Sequence, residues 1–203
     1  MTTAATRRTP AEKHEERRRA LAASALTTLG ELGYARASLR EIAKSSEFSH
    51  GVVHYYFHDK LDLIVSCVRQ YKATCVHRYD GVVDDAASAD GLAAAFADAL
   101  VRTILDEAPM HRLWYDLRAQ TMFTAELREA VLAIDATLEE MVWRVVARYA
   151  DLAGAAPALG PRAAYGLLDG VFQQALLGHL VGRDDALVDL DAEVRRVLPT
   201  LLV

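Results

Sequence analysis

Histidines recur every four residues in one short segment of the chain, at positions 50, 54 and 58. On a continuous helix this spacing would place His50, His54 and His58 on one side, where three imidazoles can hold a zinc ion. Exposed imidazoles on a short helix can equally hydrogen-bond to nucleic acid. Gly51 and the approach to Asp59 argue against one helix through His58, and no cysteine or acidic cluster stands nearby to complete a metal site. We therefore predict no metal and favour contact with DNA, with zinc as the alternative.

The histidines lie within residues 38–60, whose pattern is typical of two short helices joined by a turn. Ser38 and Glu41 form a capping box at the start of the first helix, and Ser49 is a candidate N-cap for the second. A glycine as near a helix start as Gly51 is unfavourable for the helix. We therefore expect its backbone to approach closely either the short helix that starts at Ser38 or a DNA groove. The apolar positions expected to pack the two helices together are Leu39, Ile42, Ala43, Phe48, Val53 and Phe57. The polar positions would then face outward, as in a helix-turn-helix.

Apolar residues spaced by three and four predict helices along the rest of the chain, and no alternating segment with hairpin turns predicts a strand. We predict an all-α chain of about nine helices. The first helix is expected from about Pro10 to Leu32, where Gly33 ends it, and a long fourth helix from Asp59 to about Tyr79. A polar loop follows around 84–90, and then a fifth helix that Pro109 ends and a short sixth helix around 111–118. The seventh helix is expected over 127–152, the eighth from Pro161 and the ninth from about Leu190.

Charge is distributed unevenly. Residues 1–80 contain 13 lysines and arginines against 9 acidic residues, a net charge of +4, whereas residues 81–203 contain 10 against 19, a net charge of −9. The two parts are therefore expected to meet different partners. At the start of the first helix, the basic cluster of Lys13, Arg17, Arg18 and Arg19 fits either phosphate contact or a solvated face neutralised by neighbouring glutamates.

Several features indicate a cytoplasmic protein. Residues 1–10 are polar and basic without an apolar run, so we interpret them as a disordered arm and not a signal peptide. The most apolar late stretch, 163–182, is interrupted by Asp169, two glutamines and a histidine, so we expect no membrane span. Cys67 and Cys75 would lie about 12 Å apart along one helix, too far for a disulfide, which fits a reducing compartment.

Two stretches give the chain a family resemblance: G-Y-A-R-A-S-L-R-E-I-A after the first helix, and F-S-H-G-V-V-H-Y-Y-F-H-D-K-L-D-L. Together with the order of predicted helices, they resemble the TetR family of transcriptional regulators over about residues 15–65. The resemblance implies a DNA-binding domain over 1–58 and a helical ligand-binding and dimerisation domain over 59–203. His54 and the segment 167–178 also resemble the choline-responsive BetI group, but that segment is widespread in dimerising helices of these regulators and implies no ligand.

Carried onto matching positions, the resemblance implies base contacts from the start of the second short helix and phosphate contacts around it. The predicted DNA-binding residues are Ser38, Arg40, Ser49, His50, Gly51, Val52, His54, Tyr55 and Lys60. Two positions depart from the family pattern. Glu47 stands where a turn glycine is usual, and His54 stands where a phosphate-binding tyrosine is usual, which would make that contact weaker or pH-sensitive.

A ligand cavity is expected among helices four to eight, since aromatic side chains with a polar tip line pockets well. The candidates are His111, Trp114, Tyr115, Arg118, Met122, Trp143, Tyr165, Asp169 and Phe172. Each taken alone also fits an ordinary core position. For Asp169, the favoured interpretation is a core or interface carboxylate satisfied by an arginine or the backbone, with ligand contact as the alternative.

These features lead to the prediction of a homodimeric repressor, dimerised through helices eight and nine (about 162–202), that binds a palindromic operator on double-stranded DNA and is released by a small-molecule effector. No phosphate loop, nucleophile motif or cofactor motif appears, so neither catalysis nor a cofactor is predicted. The alternative is a helical small-molecule-binding protein without specific DNA binding.

Overall fold

The computed structural model describes residues 9–203, and within them the chain forms nine α-helices, one short 3-10 helix and no strand. The α-helices are α1 (Pro10–Arg36), α2 (Leu39–Lys44), α3 (His50–Tyr56), α4 (Lys60–Cys75), α5 (Asp80–Asp84), α6 (Ala89–Gln120), α7 (Arg128–Ala153), α8 (Pro161–Leu180) and α9 (Ala186–Thr200). The all-α prediction is therefore confirmed. Across this part of the chain, no helix is both long enough and apolar enough to span a membrane. The predicted basic arm falls largely outside the described residues.

The chain forms two compact units, 1–71 and 72–203, which divide inside α4. The predicted domain boundary between residues 58 and 59 stays a prediction, since a division by contacts and a division by function need not coincide.

In the N-terminal unit, α1 begins with a complete capping box. The Thr9 hydroxyl accepts from the Glu12 amide at 3.2 Å, and the Glu12 carboxylate accepts from the Thr9 amide at 2.7 Å. Gly33 interrupts the helical conformation with a φ of 72°, a region that favours glycine. The predicted stop is thus at the right residue, although a further short turn carries α1 on to Arg36.

Arg18 joins three elements of the N-terminal unit. Its guanidinium donates to the Asp62 carboxylate at 2.5 Å, to the Ser66 hydroxyl at 2.9 Å and to the Tyr56 carbonyl at 3.4 Å. The same group lies 4.9 Å from the Phe57 ring centroid. Arg18 belongs to the basic cluster at the start of the first helix, and these internal contacts give it a structural role.

In the C-terminal unit, α6 to α9 pack together as a helical bundle with α5 against α6 and α7. Its core is apolar, and the largest side chains that are almost wholly buried include Trp114, Phe96, Leu92, Ile104, Leu113 and Leu117 of α6. At the C-terminus of the chain, an antiparallel bridge joins Leu202 to Pro157. The Ala158 amide donates to the Leu201 carbonyl at 2.6 Å, which ties the α7–α8 loop to the end of the chain.

The predicted fifth and sixth helices are two limbs of one kinked helix. α6 runs through Pro109, and the backbone leaves the helical conformation at Glu107 (φ −136°, ψ 22°). The predicted end at Pro109 was therefore wrong. A proline lacks the N–H for an internal helical bond but is tolerated in the first turn of a helical limb, so the break falls just before it. The predicted polar loop around 84–90 is also shorter than expected, because α5 includes Asp84 and α6 begins at Ala89.

Candidate nucleic-acid interface and ligand cavity

The N-terminal candidate site is built on α2, α3 and the turn between them. Ile42, Phe48, Val53 and Phe57 are each at most 4% exposed, and Leu39 is also buried. Ala43 is only half-buried, so it contributes less to this core than predicted. The apolar sides of both helices are thus turned inward, and the orientation of α3 is fixed by the packing of its one buried residue, Val53.

Both short helices have a serine N-cap. The Ser38 hydroxyl accepts from the Glu41 amide at 3.1 Å, and the Ser49 hydroxyl accepts from the Val52 amide at 3.4 Å. The capping box at Ser38 is only half formed, because the Glu41 carboxylate accepts from Lys44 at 2.7 Å.

The turn between α2 and α3 forms without a glycine. No residue of the described chain other than glycine has a positive φ, so Glu47 adopts an ordinary conformation there. The Ser46 hydroxyl accepts from the Phe48 amide at 3.2 Å and closes the turn. The departure from the family pattern at Glu47 therefore leaves the turn intact.

The outer surface of α3 carries two histidines in contact. The Nε2 atoms of His50 and His54 lie 3.1 Å apart, with ring centroids 4.4 Å apart, and both side chains are exposed. One ring must donate and the other accept. The helix ends at Tyr56, so His58 does not continue this row, and the described residues contain no group of three potential metal ligands.

Gly51 lies beside the histidines on open surface. A Cβ built on it would meet nothing within 4 Å, which excludes close approach to α2 as the reason for this glycine. Of the two predicted explanations, the close approach to a DNA groove stays a prediction. Val52 is half-buried next to it, and Tyr55 is 73% exposed.

Other predicted DNA-binding residues surround α3. An open groove of about 540 Å³ is lined by Arg40, Ala43, Lys44, Phe48, Ser49 and His50. Lys60 begins α4, half-buried, with its ammonium 4.3 Å from the ring centroid of Tyr34. The predicted set thus lies on or beside the α2–α3 surface, although Lys60 is less free to extend than a fully exposed lysine.

The C-terminal candidate site is a small cavity of about 60 Å³. It is lined by the end of α4, the turn after it, and α6, α7 and α8, through Lys72, Cys75, Arg78, Tyr79, Phe96, Leu100, His111, Trp114, Tyr115, Leu138, Met141, Val142, Tyr165, Leu168, Asp169 and Phe172. Six of the nine predicted ligand candidates lie here: His111, Trp114, Tyr115, Tyr165, Asp169 and Phe172. A typical drug-sized site occupies roughly 300 to 1,000 Å³, so a ligand of that size requires side chains to move apart.

The other three candidates do not line the cavity. Arg118 contacts a residue of the cavity wall, because its guanidinium donates a hydrogen bond to the Asp169 carboxylate at 2.5 Å. Met122 is 72% exposed in the turn after α6, and Trp143 is half-buried on α7 away from the lining. These last two were chosen by residue type, which does not show whether a side chain faces the cavity.

Asp169 is the centre of a polar network on one wall of the cavity. It accepts from the Tyr115 hydroxyl at 2.8 Å as well as from Arg118, and Tyr165 donates to Asp135 at 2.7 Å. Burial and the adjacent Asp169 carboxylate raise the pKa of Tyr115 well above its usual value. An arginine satisfies this carboxylate, as the favoured interpretation of the sequence expected.

A second network lies at the kink of α6. Arg78 donates to the Glu107 carboxylate at 2.5 Å and to the Thr103 hydroxyl at 3.1 Å. The Tyr79 and Thr103 hydroxyls lie 3.2 Å apart, and burial raises the pKa of Tyr79 to about 12. Glu107, whose backbone breaks α6, is thus held by a cation from the turn after α4.

Among the cavity residues not predicted from the sequence, Lys72 is the most unexpected, because it is a buried lysine. It is 3% exposed, with its ammonium 5.3 Å from the Trp114 ring centroid. Burial lowers the pKa of Lys72 to about 8, and burial together with the nearby Lys72 charge lowers the pKa of His111 well below its usual value. A signal was present in the sequence, because Lys72 follows the buried Ile64 and Val68 at intervals of four residues.

Comparisons with known proteins agree with this architecture. Residues 21–67 match the family model of the bacterial regulatory proteins of the tetR family. No curated protein matches the chain. The matched segment includes α2 and α3, and the chain as a whole has the fold of the solved TetR-family transcriptional regulators.

Three solved structures illustrate that fold. The transcriptional regulator FadR from Bacillus subtilis, in complex with stearoyl-CoA, is 19% identical, with 88% of this chain and 95% of that chain covered and a TM-score of 0.68. A TetR-family regulator from Rhodococcus sp. is 17% identical, with 93% and 100% covered and a TM-score of 0.71. A transcriptional regulator from Saccharomonospora viridis, in complex with choline, is 14% identical, with 93% and 98% covered and a TM-score of 0.74.

Proposed function

We propose that this protein is a homodimeric transcriptional repressor that binds a palindromic operator and is released by a small-molecule effector. The observation that carries the proposal is the surface of α3. His50, Gly51, His54 and Tyr55 are exposed on a helix that Val53 anchors to the fold. A short helix held in this way, with polar groups outward and a glycine that leaves room for a partner, suits the major groove of DNA.

The mode of contact follows from the chemistry of each group. The imidazole of His50 can donate to or accept from base edges. The residues assigned to phosphate oxygens are Ser38, Arg40, Ser49, His54, Tyr55 and Lys60, each of which can donate a hydrogen bond. Phosphate contacts set register and overall affinity, and base contacts set sequence preference.

Specific binding by so small a reading surface requires two copies, one in each of two successive major grooves. We infer that α8 and α9 supply the dimer interface. Leu167 and Leu177 of α8 and its C-cap residue Val181 are 47%, 55% and 68% exposed, and their spacing places them on one side of the helix. Between them, a Cβ on Gly170 would meet nothing within 4 Å, so a second helix can approach closely there.

The effector is proposed to bind in the cavity of the C-terminal unit. α4 ends at that cavity with Lys72 and Cys75, and it begins at Lys60, one of the predicted DNA contacts. Because a single helix contains both sets of residues, ligand binding that displaces its end can change the spacing of the two DNA-binding units in a dimer. In this proposal the protein acts in the cytoplasm as a binding protein and performs no catalysis.

Duplex binding tests the DNA-binding part of the proposal. The duplex should come from the promoter region of the protein's own gene, with a scrambled duplex for comparison. Affinity for both should fall steeply as salt rises, and His50→Ala should change the base preference. Tyr55→Phe with Lys60→Ala should weaken binding to both duplexes alike, since these residues are assigned to phosphates.

Arg102→Ala is the matched control for Lys60→Ala, because it removes one positive charge from the exposed surface of α6. It should leave duplex affinity nearly unchanged. If the wild-type protein binds its promoter duplex no better than the scrambled one, the repressor proposal is wrong and the chain is a ligand-binding protein without specific DNA binding.

Light scattering at micromolar concentration tests the dimer. We expect a dimer for the wild-type chain and dissociation on Leu177→Glu, since a buried unpaired carboxylate at an interface is strongly unfavourable. Leu105→Glu is the control, because Leu105 is 57% exposed on α6 and outside the proposed interface. A monomeric wild-type protein, or equal dissociation of both variants, would contradict the assignment.

A further inference from the structure

Two nearly inaccessible side chains at the cavity of the C-terminal unit carry groups that donate hydrogen bonds and cannot accept them. The first is the ammonium of Lys72, which is 3% exposed, and the second is the indole N–H of Trp114, which is 1% exposed. Both side chains line the cavity. Neither an ammonium nor an indole N–H can accept a hydrogen bond, so a polar group bound between them must be an acceptor.

The indole N–H of Trp114 is buried without a hydrogen-bond acceptor in the folded protein. Among the buried side-chain nitrogens and oxygens of the described residues, its Nε1 is the one without a hydrogen-bond partner. An unsatisfied buried donor is unfavourable by about 1 to 3 kcal/mol. A ligand acceptor at this position would therefore gain a hydrogen bond that the protein itself does not provide.

The carboxylates at the cavity and at the adjacent kink of α6 already accept hydrogen bonds within the fold. Asp169 accepts from Arg118 at 2.5 Å and from Tyr115 at 2.8 Å, and Glu107 accepts from Arg78 at 2.5 Å. A carboxylate that already accepts from two donors is a poor counter-ion for a cationic ligand. The ammonium of Lys72 also lies over the face of Trp114, where a ligand cation would otherwise bind.

The rest of the wall is apolar or aromatic, with Phe96, Leu100, Leu138, Met141, Val142, Leu168 and Phe172. Such a wall binds an apolar body and keeps water away from a buried ion pair, which strengthens the attraction between its charges.

From these contacts we infer that the effector is an organic acid, with its carboxylate at Lys72 Nζ and Trp114 Nε1 and an apolar body among the aromatic side chains. This inference rests on the proposed effector function and specifies its ligand class. A quaternary ammonium such as choline is disfavoured at this site, because it brings no acceptor and is repelled by Lys72.

The protonation of Lys72 supports the same assignment. Burial lowers its pKa to about 8, and a carboxylate beside Nζ would favour the charged form and raise that pKa again. The other titratable and charged groups that act on Lys72 or line the same cavity are Cys75, Arg78, Tyr79, Glu107, His111, Tyr115, Tyr165 and Asp169.

The test compares three charge types on the same body. The probes are phenylacetate, phenylacetamide and phenethylammonium, together with octanoate, octanamide and octylammonium as a larger set. Binding to the full chain is measured by calorimetry and by the rise in melting temperature at pH 7. We expect each acid to bind at least about tenfold more tightly than its amide, with no binding of the ammonium compounds.

Variants assign the effect to the cavity residues. Lys72→Met should reduce acid affinity by about tenfold or more and change amide affinity little, and Trp114→Phe should reduce acid affinity by about fivefold. Arg102→Met removes one exposed positive charge from α6 and should change neither value. At pH 8.5, calorimetry in two buffers of different ionisation enthalpy should show proton uptake with acid, and none with amide or with Lys72→Met.

The inference is overturned if no acid stabilises the wild-type protein, if acid and amide bind equally, or if Lys72→Met leaves the acid preference unchanged. These outcomes are separate from the DNA test. If the protein binds its promoter duplex but does not prefer acids, the repressor proposal stands and the organic-acid inference is wrong. If it prefers acids but does not bind the duplex specifically, the organic-acid inference stands and the repressor proposal is wrong.

Discussion

The two units of this chain place their polar chemistry in opposite locations. In the N-terminal unit, the groups assigned to DNA are mostly on the surface, with Tyr55 at 73% exposure, and the apolar residues beneath them are nearly inaccessible. In the C-terminal unit, the groups assigned to ligand binding are inside, with Lys72 at 3% and His111 at 7% exposure. A surface group keeps water as its partner until DNA arrives, whereas a buried group must find a partner in the fold or in a ligand.

Arginine–aspartate pairs show the same contrast. Arg18 and Asp62 lie at 2.5 Å in the N-terminal unit, with side chains 28% and 36% exposed, and join helices around a conventional core. Arg118 and Asp169 also lie at 2.5 Å, but the Asp169 side chain is only 13% exposed and forms part of a cavity wall. The second pair therefore stabilises the fold and also lies at the proposed ligand cavity. Burial alone would lower the pKa of Arg118, but the hydrogen bond that Arg118 donates to Asp169 raises it.

The largest predicted effect is on Lys72 and is a gain of stability. Lys72→Met replaces a buried ammonium with an apolar side chain of similar length, and a pKa lowered from 10.5 to about 8 corresponds to about 3 kcal/mol at pH 7. Unfolding of the C-terminal unit in urea can be followed by tryptophan fluorescence, because both tryptophans, Trp114 and Trp143, belong to it.

The stability advantage of Lys72→Met is expected to depend on pH. Below about pH 8, Lys72 is protonated in the folded and unfolded chains, and the full penalty is present. Between about pH 8 and 10.5, the unfolded chain binds the proton that the folded chain has lost, so wild-type stability rises and the advantage of Lys72→Met shrinks. An advantage that stays constant to pH 10 would show that the ammonium is solvated in the native protein.

A loss of about 2 kcal/mol is expected for Asp169→Asn in the same fluorescence measurement. The amide keeps the size of the side chain but removes the charge that accepts from Arg118 and Tyr115. Asp98→Asn is the control, since its ion pair with Arg102 is more than half exposed on both sides and should contribute well under about 1 kcal/mol. Equal effects of the two substitutions would remove the distinction drawn between buried and exposed carboxylates.

The smallest effect is expected in the N-terminal unit. Ser38→Ala removes the N-cap of α2 and should lower the stability of that unit by about 1 kcal/mol, while Ser38→Gly should lower it by only a few tenths of that value. Circular dichroism should detect the loss, and the tryptophan transition of the C-terminal unit should stay in place. A shift of the tryptophan transition by Ser38→Ala would show that the two units unfold together.

The ease of prediction also differs between the units. Local rules were sufficient for α2 and α3, because serine caps, an apolar side and a short turn are all defined by neighbours in sequence. They were less successful at Glu41, whose carboxylate bonds to Lys44 and leaves the capping box incomplete. They failed at Pro109, since a kinked helix and two separate helices have nearly the same local pattern, and only packing decides whether the limbs continue.

In the C-terminal unit, six of the nine predicted ligand-binding residues line the cavity, and Met122 and Trp143 do not. Aromatic and thioether side chains suit a core, a surface turn or a cavity wall almost equally well, so residue type alone does not choose among them. Lys72 was missed for the opposite reason, because a lysine in an amphipathic helix is ordinarily a surface residue.

By itself, the sequence determined the helical class of the chain, the resemblance of its N-terminal segment to the TetR family model and the side of α3 that faces outward. Each depends on residues a few positions apart, whose spacing defines their geometry directly. Only the tertiary structure decided that Lys72, Trp114 and Asp169 share one cavity, that Asp169 is neutralised there and that the indole N–H of Trp114 is left without an acceptor. Those relations join residues 42 to 97 positions apart in sequence, and burial and charge act through space and not along the chain.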